Sequence, residues 1–311
     1  MTESSGSFVS EAMLFWLFVL RQDMKFVGLN MRRLRRRNLV STKSVVAPGG
    51  PVVSLTTFGE RVGTVYLTIE SIGRGSLLPS RLILWLQDED TFNKRPESLK
   101  RLENRGLEVR LTESYGSHSK YFPYLLSTDS FREPLVTADD DVLYSPWWLS
   151  GLAKAHEENP ELVNCYRAHV MQFENGKIKP YLNWKTCQST EPNSRCFATG
   201  VSGCIYPAEF LSRLKHAGRR FLDLCPKADD VWLHVNALRS GFAVRQISNR
   251  PVDFPAIPGT QANGLFLTNW NSGQNDEQIR NTYTADDLAQ LMSITESARR
   301  LAVHCDATLH S

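Results

Sequence analysis

The chain has 311 residues, of which 41% are hydrophobic and 22% are charged, and its formal net charge is +3. This composition is typical of a globular protein with one large domain or two modest ones, and it argues against a disordered chain. So small a net charge does not indicate a nucleic-acid partner, although five of the six residues 32–37 are arginine.

The first 50 residues predict a leader. Residues 12–20 are an unbroken apolar run of nine residues that would span about 14 Å as a helix, roughly half of a bilayer core. No small-residue cleavage site follows, so the run does not resemble a secretory signal. Together with the arginine cluster behind it, the leader could lie on a membrane surface, be poorly ordered, or pack as a helix on the protein body.

Alternating strands and helices are predicted over the next 90 residues. Short apolar runs bounded by turn residues predict strands at 52–55, 82–86 and 135–138, and the alternation of Leu107, Val109 and Leu111 predicts one at 107–111. Apolar residues at helical spacing predict a helix ending near Gly73, and a charged helix is predicted over 96–104, with Gly106 after it. This order predicts an α/β fold with a mainly parallel central sheet, in which ligands lie beyond the carboxyl ends of the strands.

Three consecutive aspartates, Asp139, Asp140 and Asp141, follow the fourth predicted strand directly. Carboxylates this close repel one another, and a buried cluster requires a cation or strong hydrogen-bond donors. In an extended segment Asp139 and Asp141 point the same way, and two such oxygen ligands suit Mg²⁺ or Mn²⁺ with a phosphate completing the coordination. The alternative is an acidic turn before a helix capped at Ser145, which explains only one of the acids.

The second half of the chain contains three further features. A polar, irregular region is predicted over 164–195, and the small residues 199–203 would allow close approach of a ligand to the backbone. Asp229 is predicted to cap a helix that stops at Gly241, and Thr284 opens a final amphipathic helix. None of the six cysteines forms a Cys-x-x-Cys pair, so we expect reduced thiols in a cytosolic protein.

Residues 50–280 resemble the nucleotide-sugar-dependent glycosyltransferases of the GT-A fold. The resemblance rests on the motif Thr137-Ala138-Asp139-Asp140-Asp141-Val142-Leu143-Tyr144, followed by Ser145-Pro146-Trp147-Trp148. In that family a DxD-type motif holds Mn²⁺ or Mg²⁺ on the donor diphosphate. The resemblance therefore implies a GT-A-like Rossmann-type sandwich in which Asp139 and Asp141, with Asp140 between them, bind the cation.

The resemblance also implies which residues bind the substrates. The donor side would comprise Thr56, Thr57, Arg61, Asp88, Lys120, Asp139 and Asp140, and the acceptor side Gly200, Ser202, Gly203 and Trp184. Asp230 would act as the general base on the acceptor hydroxyl, with Asp229 as the alternative base. Both acids could instead simply favour the helix dipole. A polar cluster, Asn269, Asn271, Asn275 and Asp276, could supply a further donor contact or a third metal ligand.

The resemblance implies transfer of one sugar from a UDP- or GDP-linked donor, because the Gln-x-x-Arg-Trp signature of processive synthases is absent. The acceptor would be a glycan or a lipid-linked cell-envelope precursor. Inversion is expected if an acid is placed as the base, and retention otherwise. We expect a leader over 1–50, a glycosyltransferase domain over 51–283 and a C-terminal helix over 284–311, in the cytoplasm or at the cytoplasmic face of a membrane.

Three other functions are compatible with the sequence. A haloacid-dehalogenase-type phosphatase or phosphotransferase would use Asp139 as a nucleophile, although its motif normally lies near the start of the catalytic domain. A sugar nucleotidyltransferase would need a glycine-rich basic loop after the first strand, where only Gly59 is found. A non-catalytic adaptor on a membrane surface would not need the acidic triplet.

Overall fold

The computed structural model describes residues 25–260 and 273–293. The apolar run 12–20, Asn269, Trp270 and Asn271 lie outside this part of the chain, as does the portion of the predicted C-terminal helix beyond residue 293.

Strands and helices alternate through the first half, as predicted. The strands are β1 (Val52–Thr57), β2 (Arg81–Leu86), β3 (Leu107–Leu111), β4 (Leu135–Thr137), β5 (Val163–Cys165), β6 (Ala168–Val170), β7 (Phe173–Glu174), β8 (Lys177–Ile178), β9 (Lys185–Thr186), β10 (Cys196–Ala198), β11 (Cys204–Tyr206) and β12 (Val244–Gln246). The helices are α1 (25–40), α2 (Val65–Ile72), α3 (Glu89–Asn93), α4 (Glu97–Glu103), α5 (Phe122–Leu126), α6 (Trp148–Glu158), α7 (Ala208–Ala217), α8 (Phe221–Leu224), α9 (Asp229–Arg239), α10 (Gln274–Thr282) and α11 (285–293).

A seven-stranded sheet forms the centre of the fold, in the order β3-β2-β1-β4-β11-β5-β12. Strand β1 pairs in parallel with β2 and β4, β2 with β3, and β5 with β12. Strand β11 lies antiparallel to both of its neighbours, β4 and β5. The prediction of an α/β fold with a mainly parallel sheet is therefore confirmed, and the architecture is consistent with a GT-A-type Rossmann fold.

Helices cover both faces of this sheet. In β1, Val53 and Leu55 pack with α2, α4 and α6, whereas Val52 packs in the layer formed by α5, α7 and α9. Strand β2 divides its side chains between the same two layers. Because successive side chains of a strand point to opposite faces, strands covered on both sides are apolar throughout, which is why β1 and β2 were recognisable as buried strands.

Three predicted local features differ in the structure. Helix α6 begins at Trp148, and Trp147 rather than Ser145 occupies the position before it, without a side-chain cap. Helix α9 is preceded by Ala228, so Asp229 lies in its first turn and is not the cap. The region predicted to be irregular contains β5 to β9, and β6 lies between β9 and β10 in a small antiparallel sheet.

Helix α1 packs on the body of the protein. Its buried residues Val27 and Leu34 contact an apolar cluster that includes Leu67. Glu70 of α2 is fully buried and accepts hydrogen bonds from Arg37, Asn38 and Arg105, so it ties α1 to the layer beneath it. Among the helices of the described residues, none is long and apolar enough to cross a bilayer.

Candidate active site

A cleft of about 720 Å³ lies at the carboxyl ends of β1 and β4. Its walls include the end of β1 and the chain after it, the turn Gly116–Lys120, the acidic triplet after β4, the turn Gly200–Ser202 and the start of α9. The residues predicted as site residues that line it are Thr56, Arg61, Lys120, Asp139, Asp140, Asp141, Gly200, Asp229 and Asp230. The cleft lies where the parallel sheet predicts a ligand site.

The middle aspartate of the triplet is held by the protein. Asp140 accepts hydrogen bonds from Thr57 Oγ1 at 2.6 Å and from Arg61 at 2.9 Å, and its backbone carbonyl accepts one from Thr68. Burial raises the pKa of Asp140 to about 6, against the opposing effect of Arg61 and the hydrogen bond from Thr57. Asp140 therefore fixes the triplet to β1 and to the turn that follows it, and Thr57 supports it from beneath the cleft wall.

The two outer aspartates are fixed through their backbones. The N–H of Asp139 donates to the Tyr144 hydroxyl, and the carbonyl of Asp141 accepts from the N–H of Ile257 at 2.7 Å. Their carboxylates lie 3.4 Å from Lys120 and Arg61, respectively. Burial raises the pKa of Asp139 to about 6, although the charge of Lys120 opposes the shift.

Lys120 lies between the triplet and the start of α9. Its Nζ is 3.0 Å from Oδ2 of Asp229 and 3.4 Å from Oδ1 of Asp139. Burial alone would lower the pKa of Lys120, but the charges of Asp229, Asp139 and Asp230 together raise it well above its ordinary value. This ion pair explains why Asp229 does not cap α9: its carboxylate turns to the lysine instead of to the N–H groups of its own helix.

Asp230 is bound to the turn Gly200–Ser202. Its Oδ1 accepts a hydrogen bond from the N–H of Gly200 at 2.9 Å. Burial, followed by the nearby charge of Asp229, raises the pKa of Asp230 to about 8. A Cβ atom added to Gly200 would lie 3.0 Å from Lys120 Nζ and 3.1 Å from Asp230 Oδ1, so glycine allows this close approach.

The chemistry of the cleft suits a hard cation that is shared with a ligand. Among the residues that the structure describes, no group of three or more His, Cys, Asp or Glu side chains is arranged to hold a metal ion. Asp139 and Asp141 flank Asp140 and line the same cleft, with Lys120 and Arg61 beside them. Mg²⁺ typically binds through one or two carboxylates together with substrate phosphates, and Mn²⁺ also suits oxygen ligands, so this donor set fits such a cation.

Two of the predicted binding residues lie outside the cleft because they have other partners. Asp88 caps α3, where its carboxylate accepts the N–H of Thr91 at 2.7 Å. Trp184 is buried in the core, with its ring against Tyr181 and Phe197. Neither residue lines the cleft.

The predicted acceptor residues Ser202 and Gly203 are also buried beneath the surface. The indole N–H of Trp148 donates to the carbonyl of Ser202 at 2.9 Å. A Cβ atom on Gly203, whose φ is 96°, would lie 2.8 Å from the same indole. The small residues of this stretch therefore serve close packing against Trp148, and only Gly200 of the predicted acceptor set lines the cleft.

Sequence reasoning missed one wall of the cleft. This wall is built mainly from two strands. His169 lies on β6 with Arg167 just before it, and Phe197 lies on β10. Tyr181 and Leu182 complete the wall. The region around β6 was predicted to be irregular, yet apolar Tyr166, Ala168 and Val170 alternate there with polar residues, which is a strand signal. Asn275 and Asp276 also line the cleft, and Asp276 accepts a hydrogen bond from the N–H of Tyr181.

No protein-family model and no curated protein matches the chain. One solved structure that matches is the crystal structure of GalNAc-T7 with UDP, GalNAc and Mn²⁺, at 11% sequence identity and a TM-score of 0.44. The match covers 68% of this chain and 44% of that one, so the chain spans less than half the length of that protein. At this similarity the likeness concerns the general path of the chain, and no residue role or activity is transferred from it.

Proposed function

We propose that the protein is a metal-dependent glycosyltransferase that moves a single sugar from a UDP- or GDP-linked donor to a glycan or lipid-linked acceptor, with inversion. The observation that carries the proposal is the meeting of two acidic sites around Lys120 in one cleft. The first site is the aspartate triplet after β4, and the second is Asp229 and Asp230 at the start of α9. Donor activation and proton transfer require two such sites at short range.

Asp139 and Asp141 would bind the donor diphosphate through a shared Mn²⁺ or Mg²⁺. The cleft is lined by six aspartates and four basic side chains, so a diphosphate entering alone would be repelled near the triplet. A divalent cation bound there supplies positive charge that offsets the charge developing on the departing nucleoside diphosphate. Thr56 and Arg61, on the β1 side of the cleft, would contact the donor.

Asp230 would act as the general base. As the acceptor oxygen bonds to the anomeric carbon, the bond from that carbon to the diphosphate breaks and the hydroxyl proton passes to the Asp230 carboxylate. Because burial raises the pKa of Asp230, this carboxylate is a stronger base than an exposed aspartate would be. Asp229, paired with Lys120, would hold the lysine between base and donor.

The acceptor side is proposed to consist of Gly200 and the wall that sequence reasoning missed. Tyr181 offers aromatic surface, while Arg167 and His169 offer hydrogen-bond donors, a combination that suits a sugar ring. These residues replace Ser202, Gly203 and Trp184 in the proposed acceptor site.

A cytoplasmic location is supported by the cysteines: Cys165, Cys187, Cys196, Cys204 and Cys225 are all free thiols.

A screen of UDP- and GDP-sugars tests this function by donor hydrolysis and by transfer, with Mn²⁺, Mg²⁺ or EDTA present. We expect cation-dependent turnover of at least one donor, lost in Asp141→Asn and in Asp230→Asn. Asp90→Asn is the matched control, because Asp90 is an exposed acid outside the cleft, and it should keep full activity.

The same preparations separate the alternatives. A phosphatase of the haloacid dehalogenase type would accumulate phosphate on Asp139 when treated with a phosphate ester, whereas the proposed transferase would not. An adaptor would neither turn over a donor nor bind a nucleotide in a cation-dependent way. Either result would contradict the proposed function.

A further inference from the structure

Helix α1 presents a basic and apolar face to solvent. Exposed residues at spacings of three and four fall on one side of a helix, and here they are Lys25, Phe26, Leu29, Arg32, Arg33, Arg36, Leu39 and Val40, together named the basic face. Phe26 and Leu29 are 67% and 53% exposed. There is no acidic residue from 25 to 50, so no carboxylate within this segment neutralises the positive charge of the basic face.

The opposite side of α1 fixes the direction of the basic face. Leu34 is buried against Leu67, Leu143 and Ile257. Arg37 donates to Glu70 at 2.9 Å and to the carbonyl of Gly73 at 2.7 Å. The helix is therefore held by both apolar and charged contacts, and the basic face is left toward solvent rather than toward the body.

We propose that the basic face docks on an anionic lipid surface. The basic residues would meet the lipid headgroups, and Phe26 and Leu29, between them on the same face, would enter the apolar boundary. An acidic protein or a nucleic acid would satisfy the arginines but would leave exposed apolar side chains without an apolar partner. The sequence just before α1 also contains the nine-residue apolar run 12–20, which favours the same partner.

A single packed layer of side chains separates the basic face from the candidate active site. The cluster beneath α1 includes Leu143 and Ile257, and the N–H of Ile257 donates to the carbonyl of Asp141. A protein docked in this way would hold the acidic triplet within one packed layer of the lipid surface. The docking inference stands on the surface of α1 alone, so it does not require that the protein be a glycosyltransferase.

Vesicle co-sedimentation of the full chain tests the docking. The anionic vesicles contain phosphatidylglycerol at 30 mol%, a chosen test fraction. We expect the protein to bind them, and to bind vesicles of pure phosphatidylcholine much more weakly. Each basic residue near an anionic surface strengthens binding about fivefold, so Arg32→Gln/Arg33→Gln/Arg36→Gln should weaken it by about 100-fold. Phe26→Ser/Leu29→Ser should also weaken binding, and its remaining affinity should depend more steeply on salt.

The matched control is Lys94→Gln/Lys154→Gln/Arg213→Gln. It removes the same charge from three exposed positions, one just after α3 and one each on α6 and α7, and it should bind like the wild type. Thermal unfolding should give similar midpoints for all variants, because every substituted side chain is exposed. Equal loss in the control triple, binding unchanged in the arginine triple, or selective binding of RNA in place of vesicles would overturn the inference.

Discussion

The Nζ atom of Lys120 lies 3.0 Å from Oδ2 of Asp229, at the first turn of α9. The lysine ends the turn Gly116–Lys120, and the same Nζ is 3.4 Å from Asp139 after β4. One cation thus joins segments that are about 90 residues apart in sequence. In the proposed reaction it lies between the donor and the base, so its removal should affect both stability and turnover.

Replacing Lys120 by methionine is expected to destabilise the protein by about 3–5 kcal/mol, the usual cost of leaving a buried charge without its partner. The loss should be smaller at pH 5 than at pH 8, because burial raises the pKa of Asp139 to about 6 and its carboxylate can then take up a proton. Urea denaturation at the two pH values measures this loss in the free energy of unfolding. Lys154→Met, at a position exposed in α6, should stay within about 0.5 kcal/mol of the wild type. A loss that does not depend on pH would contradict the ion-pair explanation.

When EDTA has removed divalent cations, the free energy of unfolding of the protein should fall as pH rises. The pKa of Asp230 is raised in the folded state from 3.8 to about 8, so between these values the folded protein binds more protons than the unfolded one. The free energy of unfolding must then decrease with pH across this window. In Asp230→Asn this contribution is absent, so its unfolding midpoint in EDTA should fall less between pH 5 and pH 8.5. Parallel curves for the two proteins would contradict the raised pKa.

Gly200→Ala is expected to lower the turnover rate by at least about tenfold with little change in stability. The new methyl group would meet Lys120 Nζ at 3.0 Å and Asp230 Oδ1 at 3.1 Å, and the lysine end can move a few tenths of an ångström. A displacement of the catalytic groups is costly to rate even when the fold tolerates it. Gly63→Ala, where nothing lies within 4 Å of the added Cβ, is the control and should keep wild-type kinetics.

Asp140 should behave as a structural residue. Asp140→Asn disturbs the hydrogen bonds from Thr57 and Arg61, and we expect a loss of about 1–3 kcal/mol in the free energy of unfolding. Asp90→Asn should change it by no more than about 0.5 kcal/mol. Full stability combined with loss of cation binding in Asp140→Asn would instead make Asp140 a metal ligand, as the DxD resemblance implied.

Much of the fold could be predicted because parallel strands buried on both faces carry continuous apolar runs. Strands β1, β2 and β4 and the position of the triplet after β4 followed from this pattern, whereas β3 followed from the alternation of apolar and charged residues. The antiparallel direction of β11 could not be predicted, since it depends on which neighbours a three-residue strand finds in space.

The candidate site was predictable where residues lie at or just after the carboxyl ends of strands, as Thr56 and Asp139 do. It was not predictable where packing decides the outcome. Trp184 and Ser202 were predicted as acceptor residues, and both are buried by aromatic neighbours from distant segments. Asp229 has the sequence signature of a helix cap, but Lys120, more than 100 residues earlier, takes its carboxylate.

The unfolding temperature in the presence of nucleotide tests the central claim most directly. With UDP or GDP at 100 times its dissociation constant, the protein should gain about 2.7 kcal/mol of stability when Mn²⁺ is present and none in EDTA. Asp141→Asn should lose this cation-dependent gain, while Asp90→Asn should keep it. Stabilisation by nucleotide that is equal with and without the cation, or that is unchanged in Asp141→Asn, would contradict the claim that the aspartates hold a divalent ion on a donor diphosphate.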